Sequence, residues 1–192
     1  RRQRQMCIRD RLESLCQFSY MWDNAETEVM EHTHHAILSV MSGDASTVDK
    51  YSLLTKINAS LLRTCDTAIG VYQGSATLLV PKAVYIDFAD MLNEDMLPIQ
   101  LWIYIGLIQE NGKTSMHSYG LEEFGKLEME IINSDMDVNY LFDFLSNILY
   151  YIIDQDVTLL DGETIGMSEE QKLTIRESKA VYLEGDSLKI EI

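Results

Sequence analysis

The segment that most constrains how this chain can fold is residues 118–130, with the sequence SYGLEEFGKLEME. Gly120 and Gly125 bracket a short stretch, which predicts a tight connection because glycine accepts backbone angles that other residues avoid. Residues 127–132 then alternate apolar and acidic side chains with a period of two, the pattern of a half-buried strand. This part of the chain is therefore predicted to turn sharply and to enter a sheet with one apolar face.

A hairpin is predicted immediately before this segment. Residues 99–108 are rich in β-branched and aromatic side chains, which favours a central strand buried on both faces. Asn111-Gly112 is the strongest hairpin-turn dipeptide in the chain. We expect residues 114–118 to form the returning strand.

Two long helices are predicted where apolar side chains recur every three or four residues. The clearer pattern covers residues 138–153, and the polar residues 133–135 offer candidate N-caps. The other covers residues 47–65 and follows Ser46, with Asp49 three residues later as an acidic variant of the capping box.

Short strands are predicted where apolar runs end in turn-forming residues. They cover residues 36–41, 68–72, 77–80, 157–160, 172–176, 180–183 and 188–192. Pro81 follows one of them and suits the first turn of a third helix. Together the elements predict an α+β fold: one mostly antiparallel sheet with two or three helices packed on a face.

The length of 192 residues fits one folded domain. We expect that single α+β domain to cover residues 32–192 and residues 12–31 to be a remnant of a longer chain. Residues 1–11, RRQRQMCIRDR, resemble translated sequencing-adapter read-through, so we expect them to be a non-native artefact. A short basic N-terminal helix is the alternative interpretation.

The chain is acidic, with 31 acidic and 15 basic residues and a formal charge of −16. Residues 1–11 hold five Arg and one Asp, so the charge without them is −20. Such a surface repels phosphate backbones and anionic lipids, so nucleic acid and membranes are not expected as partners. A basic protein is the partner that this charge favours.

The cysteines and the hydropathy pattern predict a cytoplasmic protein. Cys7, Cys16 and Cys65 have the spacing of neither a disulfide framework nor a metal site. The longest apolar run, residues 101–108, is far shorter than the ~20 residues that span a bilayer. The phosphate loop, HExxH and GxSxG motifs are absent from the sequence, so the common nucleotide, zinc-protease and hydrolase templates have no support.

A set of scattered residues resembles the bacterial family known as domain of unknown function 4261. The set comprises Pro98, Trp102, Ser118-Tyr119-Gly120-Leu121, Phe124-Gly125, Glu128, Glu130 and the turn Asp161-Gly162-Glu163-Thr164-Ile165-Gly166. The resemblance covers residues 97–192 and, more weakly, residues 32–92. It departs from the family pattern at Ser118, where threonine is expected, and at Lys126, where an apolar residue is expected. It implies a cytoplasmic bacterial protein from a longer chain and brings no assigned activity.

Acidic side chains near His117 form the candidate functional cluster. Its members are His117, Glu128, Glu130, Asp161, Glu163 and Thr164. Paired carboxylates bind divalent cations or transfer protons, and the histidine would serve as a base. On an exposed strand the same carboxylates would be solvated polar positions without a reaction, which is the interpretation we favour.

Four glycines are interpreted as structural turns that need a positive φ angle or close backbone approach: Gly120, Gly125, Gly162 and Gly166. The histidines His32, His34 and His35 precede a predicted strand, but further ligands are not evident in the sequence. We therefore predict neither a metal site nor a cofactor.

Three functions remain open from the sequence. The first is a non-catalytic protein-interaction module, of accessory or immunity type, whose acidic surface meets a basic partner. The second is a hydrolase-like enzyme with an acidic, metal-assisted site built from the cluster around His117. The third is a structural domain that forms a homodimer.

Overall fold

The computed structural model describes residues 12–41, 43–166 and 172–192. The prediction of an artefact at residues 1–11 lies outside these ranges. The chain divides into two compact units, the first ending at Trp102 and the second covering Ile103–Ile192. The expectation of a single domain over residues 32–192 stays a prediction.

The first unit combines helices with one small hairpin. Residues 12–16 are helical, and the following elements are α1 (Ala25–Met30), α2 (Thr47–Thr64), β1 (Gly70–Gln73), β2 (Leu78–Pro81) and α3 (Lys82–Asp90). Two short 3₁₀ helices follow at Met91–Glu94 and Ile99–Leu101. Strands β1 and β2 pair antiparallel in a two-stranded sheet of their own.

The predicted start of α2 is confirmed. Ser46 is its N-cap, and the Ser46 hydroxyl accepts a hydrogen bond from the Asp49 backbone N–H at 3.0 Å. That hydroxyl also donates to the Asp49 carboxylate at 2.8 Å. Both contacts satisfy polar groups at the end of a helix, where the first N–H groups lack partners within the helix.

The strand predicted at residues 36–41 is wrong. These residues have no strand pairing, and Ile37 and Met41 are 83% and 85% exposed. A short apolar run forms a strand only if a neighbouring strand pairs with it, and the local pattern does not report whether such a neighbour exists.

The second unit holds a six-stranded sheet and one long helix. Its strands are β3 (Tyr104–Glu110), β4 (Lys113–Tyr119), β5 (Met129–Ser134), β6 (Thr164–Ile165), β7 (Leu173–Lys179) and β8 (Asp186–Ile190). The spatial order is β3-β4-β5-β8-β7-β6, and β5–β8 is a parallel pair between antiparallel neighbours. Helix α4 covers Val138–Asp154, and the 3₁₀ turn Leu121–Phe124 connects β4 to β5. The predicted α+β fold with a mostly antiparallel sheet is confirmed.

The core of the second unit lies between one face of the sheet and α4. The sheet contributes the buried residues Met116, Met129, Ile131, Ile175, Leu188 and Ile190. The helix contributes Leu141, Phe144, Leu145, Leu149 and Ile152, and it contacts β4. Among the described residues of this unit, α4 is the only helix longer than one turn, so the expected second and third helices are not part of it.

Several strand predictions in this unit need correction. The strand expected at residues 99–108 begins only at Tyr104 and lies at the edge of the sheet instead of its centre. Residues 157–160 and 180–183 form loops, because each follows a completed element and has no free strand beside it. The N-cap of α4 is Asp137, whose carboxylate accepts from the Asn139 N–H at 2.9 Å.

The hairpin predicted at Asn111-Gly112 is confirmed. Both residues have positive φ angles, 53° and 78°, and β3 pairs with β4 from Glu110↔Lys113 onwards. Two successive positive φ angles match the twist of the flanking strands, which is why this dipeptide is preferred in tight hairpins.

Over the described residues, every helix is too short or too polar to cross a membrane.

Candidate functional site: a buried carboxylate beneath a loop

A row of mostly polar residues crosses the sheet opposite its core face. Gly106 pairs with His117, His117 with Glu130, Glu130 with Lys189, and Lys189 with Arg176. Directly paired residues project from the same face of a sheet, so these five positions form one line across five strands. We call this line the polar row.

Glu130 is the most unusual member of the polar row because its side chain is fully buried, with 0% exposure. The cover is the loop of residues 180–185 between β7 and β8, which we call the covering loop. Its Val181 N–H lies 3.1 Å from both carboxylate oxygens, and its Tyr182 N–H donates to Oε1 at 2.8 Å. The loop is thus attached to the sheet through two successive backbone amides.

Two side chains of β8 complete the contacts of Glu130. The Ser187 hydroxyl donates to Oε2 at 2.6 Å, and the Lys189 ammonium lies 3.1 Å from the same oxygen. Burial raises the pKa of Glu130, but these hydrogen bonds together outweigh it and lower the pKa below its ordinary value. The carboxylate is therefore charged at neutral pH, and its charge is balanced by donors instead of water.

His117 is enclosed by aromatic rings beside Glu130. Its ring stacks on Tyr182 with centroids 5.9 Å apart, and Tyr104 meets it edge-on at 6.1 Å. A Cβ atom at Gly106 would collide with the imidazole, so only glycine fits beneath it. Burial lowers the pKa of His117 although the Glu130 charge acts to raise it, so the ring is neutral at pH 7.

The arrangement around His117 does not form a proton relay. Within the described part of the chain, its buried Nδ1 atom has no hydrogen-bond partner. Ser115 lies on the same face, but its hydroxyl accepts from the Tyr182 hydroxyl at 3.2 Å and from the Asn133 N–H at 2.9 Å. These contacts fix the covering loop and the neighbouring strand, and they give the histidine no role in activating the serine.

Glu128 lies two residues before Glu130 and stabilises a different part of the fold. Its Oε1 accepts from the Gly120 and Leu121 N–H groups at 2.7 and 2.8 Å, and its Oε2 accepts from the Ser118 hydroxyl at 2.5 Å. Ser118 in turn accepts from the Met129 N–H at 2.8 Å. Glu128 therefore closes the corner between β4 and β5.

The remaining members of the predicted cluster lie on β6 and in the turn before it. Asp161 accepts from the Glu177 N–H at 3.0 Å, and Glu163 accepts from the Leu160 N–H at 2.8 Å. Thr164 is exposed on β6, where it pairs with Thr174. The structure therefore brings His117 and Glu130 together and uses Asp161 and Glu163 to hold a separate turn.

The predicted turn glycines are confirmed where φ is positive. Gly120, Gly125 and Gly162 have φ angles of 121°, 69° and 81°. Gly120 and Gly125 flank the 3₁₀ turn that Glu128 caps, as the sequence indicated. Gly166 borders residues 167–171, which lie outside the described ranges, and its predicted role stays a prediction.

A shallow groove of about 120 Å³ lies at the end of α4, away from the polar row. Its lining is mostly apolar and includes Leu127, Ile152, Val157, Leu160 and Leu188. Glu177 also lines the groove, together with Lys126, whose largely buried ammonium pairs with the exposed carboxylate of Asp156 at 2.9 Å.

The histidines near residue 32 lie in the first unit. The His32 ring contacts the Val29 carbonyl at 2.5 Å, and the His32 and His35 rings are 6.5 Å apart. Throughout the described ranges, no three His, Cys, Asp or Glu side chains are placed to share a metal ion.

Residues 117–191 match the model of the family described as Domain of unknown function (DUF4261). The suspected family is thus confirmed over this range. The range contains the Glu128 corner, the covering loop and every member of the polar row other than Gly106. The rest of the predicted extent, residues 97–116 and 32–92, lies outside the match. Comparisons with curated proteins and with solved structures gave no significant match.

The sequence did not point to the residues that bury Glu130. The alternation in residues 127–132 correctly placed Glu130 on the face opposite Met129 and Ile131. It gave no sign of the covering loop, because Val181, Tyr182 and Ser187 lie more than 50 residues away in the chain. The alternation of Ser187, Lys189 and Glu191 in the last strand was the one local signal that this face of β8 is polar.

Proposed function

We propose that the region 103–192 is a non-catalytic protein-interaction module, of accessory or immunity type, that binds a basic segment of another protein. The observation that carries this proposal is excess negative charge: the region has eighteen acidic and six basic residues, a formal charge of −12. Four of the basic side chains already pair with carboxylates within the region, namely Lys113, Lys126, Lys179 and Lys189. The excess carboxylates attract cationic partners and accelerate their association.

The groove at the end of α4 is the contact point that we propose for this partner. Leu160 is 59% exposed and Leu127 is 39% exposed, so apolar surface is available there within an acidic region. Glu177 lines the same groove, and the carboxylate of Asp156 lies beside it. A segment that carries one large apolar side chain between Lys or Arg residues matches both the apolar lining and the neighbouring charges.

The two alternatives have weaker support. An acidic, metal-assisted enzyme requires the six candidate groups to share one cleft, whereas Asp161 and Glu163 hold a turn of their own and both oxygens of Glu130 are engaged. A homodimer formed by this region would bring two surfaces of charge −12 together, and that repulsion opposes association.

Fluorescence anisotropy with labelled peptides tests the proposal. A lysine-rich peptide with a central leucine should bind the full chain roughly tenfold more tightly than the same peptide with a central glycine, because it buries the leucine. Binding of both should weaken as salt rises. An acidic peptide of equal length should not bind.

Matched leucine variants separate the groove from the general charge. Leu160→Asn should remove the preference for the leucine peptide, whereas Leu53→Asn, at an exposed leucine of α2, should keep it. Equal preference in both variants would place the contact elsewhere. Failure of the basic peptides to bind at low salt would overturn the proposed function itself.

A further inference from the structure

The covering loop is held by few contacts other than those to Glu130. None of residues 180–185 is buried, so the loop contributes little apolar burial of its own. At its base the Ala180 N–H donates to the Gly185 carbonyl at 3.1 Å, and Lys179 pairs with Asp186 at 2.9 Å. Segments with little buried apolar surface open at a low free-energy cost, while the sheet beneath them stays folded.

Tyr182 supplies two further contacts between the covering loop and the sheet. Its ring stacks on His117, and its hydroxyl donates to Ser115 at 3.2 Å. Both of these contacts depend on the position of the loop backbone, and the two amides bound to Glu130 set that position. One carboxylate thus joins two successive amides of the loop backbone to the sheet.

We propose that Glu130 is a latch: its ionised carboxylate holds the covering loop closed over the polar row, and its protonation releases the loop while the rest of the sheet stays folded. A neutral carboxyl group accepts hydrogen bonds more weakly than a carboxylate and loses its attraction to Lys189. Release would expose His117, Ser115 and the Glu130 carboxyl group together. This inference is independent of the proposed interaction through the α4 groove.

The charged and titratable groups around Glu130 favour the closed loop at neutral pH. Lys189 on β8 contacts the carboxylate directly, and Arg176 on β7 is the next member of the polar row. His117 on β4 is neutral because burial lowers its pKa, so it adds no competing charge at pH 7. Tyr182 in the loop and Tyr104 on β3 enclose the His117 ring. On acidification both Glu130 and His117 can take up a proton, and the loss of the Glu130 charge is the change that weakens the acceptor of the two loop amides.

Hydrogen exchange in the full chain tests the latch with Glu130→Gln, whose neutral amide imitates the protonated acid. We expect the Val181 and Tyr182 amides to exchange at least about tenfold faster than in the wild type at pH 7. Amides of β4 and α4 should keep their protection. Glu128→Gln is the matched control, and it should leave residues 181 and 182 protected.

Two results would overturn the latch. Unchanged protection of residues 181 and 182 in Glu130→Gln would mean that other contacts hold the loop. Loss of protection throughout β4, β5 and α4 would mean that Glu130 is required for the fold as a whole. If this variant does not fold, NMR of the wild type decides: contacts between the Tyr182 and His117 rings should disappear as Glu130 protonates, before the α4 signals change.

Discussion

Glu128 and Glu130 use the same chemistry to hold two very different parts of the molecule. Each accepts hydrogen bonds from two successive backbone N–H groups and from one serine hydroxyl. The partners of Glu128 lie seven to ten residues away in the chain, whereas those of Glu130 lie 51 to 57 residues away. Two glutamates that flank Met129 at the start of β5 thus stabilise a local corner and a long-range contact.

The difference between the two sites lies in what remains when the carboxylate is lost. Glu128 is partly exposed and accepts from the N–H groups of the buried residues Gly120 and Leu121, so its loss leaves neutral donors without their acceptor. Glu130 is fully buried and also pairs with Lys189, so its loss removes that counter-charge as well as the acceptor of its donors, while Lys189 keeps its hydrogen bonds to the Lys179 carbonyl and the Ser187 hydroxyl. The comparison teaches that equal numbers of hydrogen bonds need not carry equal cost, because the burial of the carboxylate itself and its pairing with a cation also decide what its loss costs.

The largest expected effect comes from removing each carboxylate in turn. Glu130→Ala should lower the free energy of unfolding by about 3 kcal/mol, because it removes the buried counter-charge of Lys189 and leaves the Ser187 hydroxyl and two loop amides without their acceptor. Glu128→Ala should cost about 1 kcal/mol, the usual cost of losing a cap. Urea unfolding followed by circular dichroism measures both, and equal losses would refute the distinction between corner and latch.

A second pair of variants compares glycines at the two sites. Gly106→Ala should destabilise the fold by about 2 kcal/mol, because its methyl group meets the His117 ring. Gly120→Ala should cost about 1–2 kcal/mol, because φ of 121° is unfavourable for alanine. Adding His117→Ala to Gly106→Ala should recover much of the stability that the glycine substitution loses, because the ring that meets the new methyl group is removed. Adding it to Gly120→Ala should recover none of the lost stability. Thermal unfolding of the single and double variants is the measurement.

The pH dependence of stability provides the third test. The folded-state pKa of Glu130 is lowered, so its contribution is complete above its unfolded pKa and decreases as the pH falls through the folded value. The folded-state pKa of His117 is also lowered, so stability begins to fall below about pH 6.5, where the unfolded chain takes up a proton first. Melting temperatures between pH 7 and pH 3 should fall in two stages, and Glu130→Gln should abolish only the lower stage.

The smallest effect is expected at the turn before β6. Asp161→Asn and Glu163→Gln keep oxygen acceptors at exposed positions, so each should change the free energy of unfolding by no more than about 0.5 kcal/mol. A loss above about 1 kcal/mol in urea unfolding would show that this turn contributes to stability as the Glu128 corner does.

Local patterns predicted a large part of the fold. The helices at residues 47–65 and 138–153 match α2 and α4 to within one residue, because apolar spacing and capping residues act within a few turns. The Asn111-Gly112 hairpin and the Gly120–Gly125 corner were found for the same reason. The edge position of β3 was not found, since strand order depends on partners far along the chain.

The candidate site was predicted only in part. His117 and Glu130 were both singled out from the sequence, and they are cross-strand neighbours. Their assignment to one cluster with Asp161 and Glu163 rested on proximity in the sequence, and those two side chains hold a separate turn. The favoured interpretation of Glu130 as a solvated strand position is wrong, because the covering loop excludes water from that face.

The sequence by itself determined which face of β5 each side chain occupies, since alternation along a strand is a property of the extended backbone. It also determined where the chain turns, through glycine and asparagine residues that accept positive φ angles. Only the tertiary structure decided which polar face meets water and which is covered. That depends on a loop more than 50 residues away, whose backbone amides replace the water that a glutamate in an isolated strand would bind.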